Sequence, residues 1–307
     1  MQTIPENITE FLYWFKERTE AFWNANTDVD SDDFVCEDWI RGAKWIGMEE
    51  TQIDEIEKKY AIRFTPDHRE FLKILHTIDR KEVIRYTDSS ENGEEEITEE
   101  RPFFYNWFTD EQEIRSRLEW PYRTVLEDVK GMNGVWIKSW GKRPQSETEK
   151  EAIFTEWYKQ APTLLPLKSH RFMVSEPYQA GNPILSVWGS DIIVYGWDLR
   201  SYLLHELGDH LNMYEWVFDQ EDQEWYTELP KEINDIFAHD RQTAIEKHIP
   251  FWEEVILYWS SGWSSFGKRY PYPTDSSVQP IVPTYIPEEE VESEQTTIHQ
   301  KRFTPFT

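Results

Sequence analysis

The sequence predicts an α+β fold, a single mainly antiparallel or mixed sheet flanked by helices. Apolar residues recur at helical spacing near the start of the chain and again towards its end, while short apolar runs bounded by turn residues fill the middle. Aromatic residues make up 16% of the 307 positions, with 16 Trp, which supplies ample material for a core.

Taken in order, residues 7–23 read as an amphipathic helix with Ile8, Phe11, Leu12, Phe15 and Phe22 on one face. An acidic loop follows at 28–33. A second helix over 49–61 sets Glu49 and Glu50 near the positive end of its dipole and Ile53, Ile56 and Tyr60 on one side. Thr65-Pro66 opens a third helix. Thr65 caps it, Pro66 occupies the first turn, where its missing N–H has no partner to lose, and Phe71, Leu72 and Leu75 form the buried stripe. Residues 88–101 are polar and acidic and read as an exposed loop.

Residues 124–129 and 134–137 read as strands bracketing a turn from Gly131 to Gly134, and a helix over 146–160 carries Ala152, Ile153, Trp157 and Tyr158. After a short apolar run at 164–167, residues 184–188 and 191–195 pair as a hairpin across Gly189-Ser190, whose leading Gly suits a type II′ turn. So few polar residues interrupt its arms that the hairpin is expected at the centre of the sheet, covered on both faces. Asp198 caps a helix that aligns Leu199, Tyr202, Leu203 and Leu207. A last helix over 240–259 carries Ile245, Ile249, Phe251, Trp252 and Val255, with a kink at Pro250. Three regions result: an N-terminal helical extension (1–47), an α+β domain (48–267) and a Pro-rich acidic tail (268–307).

Charge narrows the function. With 32 Lys+Arg against 59 Asp+Glu, the formal charge is −27, which argues against coating nucleic acid or binding an anionic membrane. A single cysteine, Cys36, allows no intramolecular disulfide. The opening MQTIPENITEFLYWF lacks the basic and apolar regions of a signal peptide, and no apolar run approaches the ~20 residues that span a bilayer, so a cytoplasmic protein is expected.

Candidate sites are few. His205-Glu206-Leu207-Gly208-Asp209-His210 resembles a zincin helix, but the second His falls one residue late, about 100° further round a helix; a helix end with His near the negative dipole is the better reading. Asp28, Asp30 and Asp32 look like the start of an EF-hand, yet Asp33 stands where its Gly belongs and Trp39 where its Glu belongs. His170 and Arg171 with Glu176 read as a polar cluster that pins a loop or contacts a partner; a catalytic role lacks a nucleophile. Gly181-Asn182-Pro183 is turn chemistry. Trp136 and Trp157 read as core, whereas Trp188, Trp197 and Trp263 lie beside turns or ends, where interface anchors also occur.

The stretch MEETQIDEIEKKYAIRFTPDHREFLKIL resembles the opening helices of the SUKH superfamily, whose founding member is a yeast regulator of cell-wall synthesis. Ile56-Glu57, Pro66 and Phe71-Leu72 match its pattern, and Trp140-Gly141, Arg143-Pro144, His170-Arg171-Phe172, Gly181-Asn182-Pro183 and Asp191-Ile192-Ile193 follow in the order of a large bacterial subgroup. The likeness covers roughly residues 48–257; Thr77-Ile78-Asp79 departs from it where many members carry Asn-Gly. The resemblance implies an α+β fold without shared enzymatic activity, and often an immunity protein that binds and neutralises a toxin.

The expectation is therefore a non-enzymatic protein-binding module of immunity type, with no cofactor, metal or catalytic residue and with a protein partner such as a basic toxin domain. A metal-dependent hydrolase using the region from His205 to His210, or an intracellular regulatory scaffold, is the alternative. His170, Arg171, Glu176, Trp188, Asp191 and Trp197 are the expected partner-binding residues. The acidic 88–101 segment and the Gly189-Ser190 tip are the expected points of contact.

Overall fold

The computed structural model describes residues 3–25, 36–90, 93–131 and 134–259. The fold is α+β, as expected. Its strands, however, divide among the described residues into one four-stranded antiparallel sheet and three two-stranded ribbons rather than a single sheet.

Helix α1 (Ile8–Ala25) starts where Asn7 Oδ1 accepts the backbone N–H groups of Thr9 and Glu10. Phe11, Leu12, Phe15 and Phe22 are buried on its apolar face, together with Trp14 and Trp23. Helices α2 (Glu50–Tyr60) and α3 (Pro66–Leu75) also form where the sequence puts them. Thr65 holds the N-cap position of α3 but makes no cap; its hydroxyl donates to Asp67 Oδ1 at 2.6 Å. Arg69 of α3 clamps the pair by reaching Glu50, Asp54 and Glu57 of α2 at 2.5, 2.5 and 2.8 Å. Strand β1 (Trp45–Ile46) pairs with β2 (Thr77–Ile78), and Gly47 follows directly. A Cβ at Gly47 would overlap the Lys73 carbonyl, so only glycine lets the chain pass α3 so closely.

Two expectations in the next stretch fail. Residues 88–101 are no loop: β3 (Glu82–Ser90) and β4 (Gly93–Arg101) form a ribbon in register from Glu82↔Arg101 to Ser90↔Gly93. Ladder hydrogen bonds tolerate acidic side chains when both faces meet water, and the ribbon carries its own cross-links in Tyr86 Oη to Glu99 (2.9 Å) and Arg101 to Glu82 (2.6 Å). Residues 124–129 are no strand either, because α4 (Glu111–Lys130) runs through them and buries Ile114, Val125, Leu126 and Val129. Burial at helical spacing outweighs the β-preference of valine. Residues 134–137 join no ladder and lead into a 3-10 turn at Lys138–Trp140. Helix α5 (Glu147–Tyr158) is as expected in place but not in facing. Its buried residue is Phe154, stacked on Tyr122 and edge-on to Trp140, while Ala152 is exposed.

The central sheet joins β5 (Leu164–Lys168), β6 (Arg171–Val174), β7 (Ile184–Trp188) and β8 (Asp191–Gly196) in that order. Leu165, Leu167, Met173 and Ile184 enter one core with α1, α3 and α6 (Leu199–Glu206). Leu164, Phe172, Val174, Leu185 and Val187 enter a second core with α4 and α5. The β7–β8 hairpin is therefore only half central: β7 is buried on both sides, but β8 is an edge strand that leaves Asp191 and Ile193 exposed. Asp198 caps α6 as expected, accepting the Ser201 N–H at 2.7 Å.

Beyond α6 lie elements for which no expectation was formed: β9 (Glu215–Asp219), β10 (Glu224–Glu228) and α7 (Lys231–Thr243). The helix expected over 240–259 is broken. The chain leaves helical form at 247–252, around Pro250, and resumes as α8 (Glu253–Trp259). Ile249, Trp252 and Val255 are nevertheless buried. The acidic loop with Asp28, Asp30 and Asp32, Trp263, and the 268–307 tail lie outside the described residues.

Two buried histidines, His68 and His76, and the half-buried His210 make this core sensitive to acid. His68 is wholly buried between Phe64 and Phe71, both ring nitrogens lack a partner, and burial, then His76, holds its pKa near about 3. Burial likewise holds His76 and His210 at about 4. All three stay neutral in the fold, whereas the unfolded chain takes up protons near pH 6.5. Stability is thus unaffected above about pH 6.5 and falls as the pH drops towards about 4, by up to ~1.4 kcal/mol per pH unit for each histidine. Urea unfolding followed from pH 6.5 to 4.5 should show this decline, and His68→Leu should remove one histidine's share of the slope. An unchanged slope in that variant would refute the assignment.

Candidate functional site

The expected partner-binding residues gather only partly. At the β5–β6 turn, Arg171 Nη1 donates to Ser186 Oγ at 2.8 Å, Nε lies 3.5 Å from Glu206 Oε2, and the guanidinium sits 3.7 Å over the Tyr195 ring. Lys168 Nζ holds the other Glu206 oxygen at 3.0 Å. Arg171 is thus pinned, and its carboxylate is Glu206. Glu176 lies past the opposite end of β6, exposed, ahead of Pro177.

His170 is half-buried, with Nδ1 3.1 Å from Ser169 Oγ and its ring edge-on to Trp188 at 5.7 Å. Burial first, then the charges of Arg171, Arg117, Lys168 and Arg101, draws its pKa to about 4. Trp188 is 63% exposed and packs on Trp120 at 5.5 Å. Arg117 and Arg123 lie over Trp120 at 4.5 and 5.4 Å. Trp197, in contrast, is buried in the second core with Lys247 over its ring, so it offers no face to a partner.

The Gly189-Ser190 tip is clasped rather than presented. Ser190 is fully buried, and its N–H and hydroxyl both donate to Asp128 Oδ2 at 2.6 Å. Gly189 turns there with φ 61°, and a Cβ on it would strike the same carboxylate. Asp191, next along the chain, is exposed as a residue, but partial desolvation of its carboxyl and then the Asp128 charge raise its pKa. Gly181-Asn182-Pro183 does behave as turn chemistry: Asn182 Nδ2 donates to the Val174 and Pro177 carbonyls at 2.9 and 2.8 Å.

His205 and His210 have separate surroundings. His205, in the last turn of α6, stacks on Tyr195 at 4.4 Å. His210 is half-buried, and its Nδ1 accepts the Trp23 indole N–H at 3.0 Å. No cluster of three or more His, Cys, Asp or Glu suited to a metal occurs among the described residues.

The larger exposed surface is one that sequence reasoning missed. In the β9–β10 ribbon Trp225 pairs with Phe218 and Thr227 with Trp216, so these residues share a face. Trp216, Phe218 and Trp225 are 51%, 37% and 64% exposed. Val217 and Asp219, which alternate with Trp216 and Phe218 along β9, are half-buried, so the aromatic face points outward. The turn at 219–224 has neither Gly nor Pro, which hid it. Asp219 Oδ1 closes it by accepting the N–H groups of Glu221 and Asp222 at 2.7 and 3.2 Å. The signal available was the repeated pattern of Glu-Trp-Val-Phe-Asp and Glu-Trp-Tyr-Thr-Glu.

Comparison with family models, characterised proteins and solved structures finds no match for this chain. No helix of the described residues is long and apolar enough to cross a membrane.

The Asp128 clasp sets where Trp188 stands. Asp128→Ala removes the carboxylate that the buried Ser190 N–H and hydroxyl both reach and should lower stability by about 2–3 kcal/mol in urea unfolding. A loss below about 1 kcal/mol would show that the clasp does not hold the tip.

Proposed function

We propose that this chain is a non-enzymatic protein-binding module of immunity type, which meets a basic protein partner in the cytoplasm and neutralises it. The supporting observation is the outward aromatic face of the β9–β10 ribbon in its acidic setting. No Lys or Arg occurs from Ser201 to Pro230, whereas Glu215, Asp219, Glu221, Asp222, Glu224 and Glu228 rim the ribbon. Large rigid aromatics anchor interfaces, and their faces attract the cationic side chains that a nuclease toxin uses on nucleic acid. The carboxylates add long-range attraction, which speeds encounter with a basic domain. The immunity part of this reading is drawn from the resemblance of the sequence to the SUKH superfamily.

The test is binding of purified chain to the product of the adjacent gene. The double variant Phe218→Ala, Trp225→Ala should weaken it by ~30-fold or more, since both rings are exposed and their loss spares the core. Association should slow as salt rises. Affinity within threefold of the parent would remove the ribbon from the interface, and no interaction at all would end the immunity reading.

A further inference from the structure

The cations at the β5–β6 turn have an unexplained neighbour: a cavity of about 380 Å³ between the start of α4, the base of the β3–β4 ribbon and that turn. Arg101, Arg117 and Lys168 line it, with Tyr105 beneath. Arg171 and His170 stand just behind, and the positive charge that acts on His170 comes from these same side chains. The local carboxylates are fewer. Glu82 is engaged by Arg101 at 2.6 Å, Glu206 is shared by Lys168 and Arg171, and Glu113 is exposed at the cavity's edge. Among the lining residues three cations, Arg101, Arg117 and Lys168, meet two carboxylates, Glu82 and Glu113, which leaves net positive charge in a chain of formal charge −27. Such a pocket opposes the field of the whole molecule.

Its donors also have capacity to spare. Arg117 has no carboxylate ion pair among the described residues; its guanidinium lies 4.5 Å over Trp120 and reaches towards the Tyr105 oxygen. Arg101 gives only Nε to Glu82, which leaves the other arm of its fork. Ser116 and Ser169 also line the wall. We propose that this cavity binds a small oxyanion carrying at least two negative charges, held by Arg117 and Lys168 with Arg101 at its side. Guanidinium forks match carboxylate and phosphate oxygens two at a time, and an ammonium adds a point charge. At about 380 Å³ the space lies at the lower end of ligand pockets, which selects a compact anion over a polymer. This site lies apart from the β9–β10 ribbon, and the proposal does not rest on partner binding.

Equilibrium dialysis of the full chain tests it, with pyrophosphate and citrate as separate probes at equal ionic strength. Pyrophosphate reports a phosphoryl ligand and citrate a carboxylate one. Saturable binding of one equivalent of either is expected. Arg117→Gln and Ser116→Asp, both outside the core, should each weaken it at least fivefold, while Lys142→Gln, on the exposed surface, should not. Absence of saturable binding of both anions, or a change below fivefold in either Arg117→Gln or Ser116→Asp, overturns the proposal.

Discussion

Leu164 and Leu165 project to opposite sides of one strand, yet each is excluded from water by a different set of neighbours. The same is true of Ile184 and Leu185 on β7. A sheet covered on both faces needs two apolar layers, so the chain must bring α1, α3 and α6 to one side and α4, α5 and α8 to the other. The charged residues of the sheet, Lys168, Arg171 and Asp191, all stand at strand ends. That is why Lys168, His170 and Arg171 cluster at one turn, and why Glu206 sits there to compensate two of them. Gly47 and Gly196 serve the same constraint, since a Cβ at either would collide with the backbone of the covering helices.

Much of this was legible wherever a local rule and the tertiary context agree. Thr65-Pro66, Gly189-Ser190 and Asp198 each carry their own backbone chemistry, and each marks its boundary correctly. Reading failed where a choice depends on distant residues. Val125 and Val129 favour strand by themselves and become helical because their side of α4 is buried. Acidity made 88–101 look unstructured, although Asn92-Gly93 is a hairpin signal in its own right. Among the site residues, His170 and Trp188 do meet, whereas the partner of Arg171 lies 35 positions further on at Glu206, beyond the reach of any spacing rule. Trp197 shows the same limit, because a tryptophan beside a turn is as readily folded in as left out.

The distribution of charge is more informative than its total. Acidic side chains dominate the two ribbons, β3–β4 and β9–β10, while Arg101, Arg117 and Lys168 come together where the sheet meets α4. A uniformly acidic surface would serve solubility alone. Segregation gives the molecule two regions of opposite local charge, an acidic aromatic ribbon and a cationic cavity.

Both long edges of the β9–β10 ribbon lack a further strand among the described residues, and three broad rings stand on its outer face. Left neutral, such a surface would zip onto its own kind and seed fibrous deposits. Carboxylates at both rims set like charges against each other wherever two identical ribbons meet, which opposes such edge-to-edge growth.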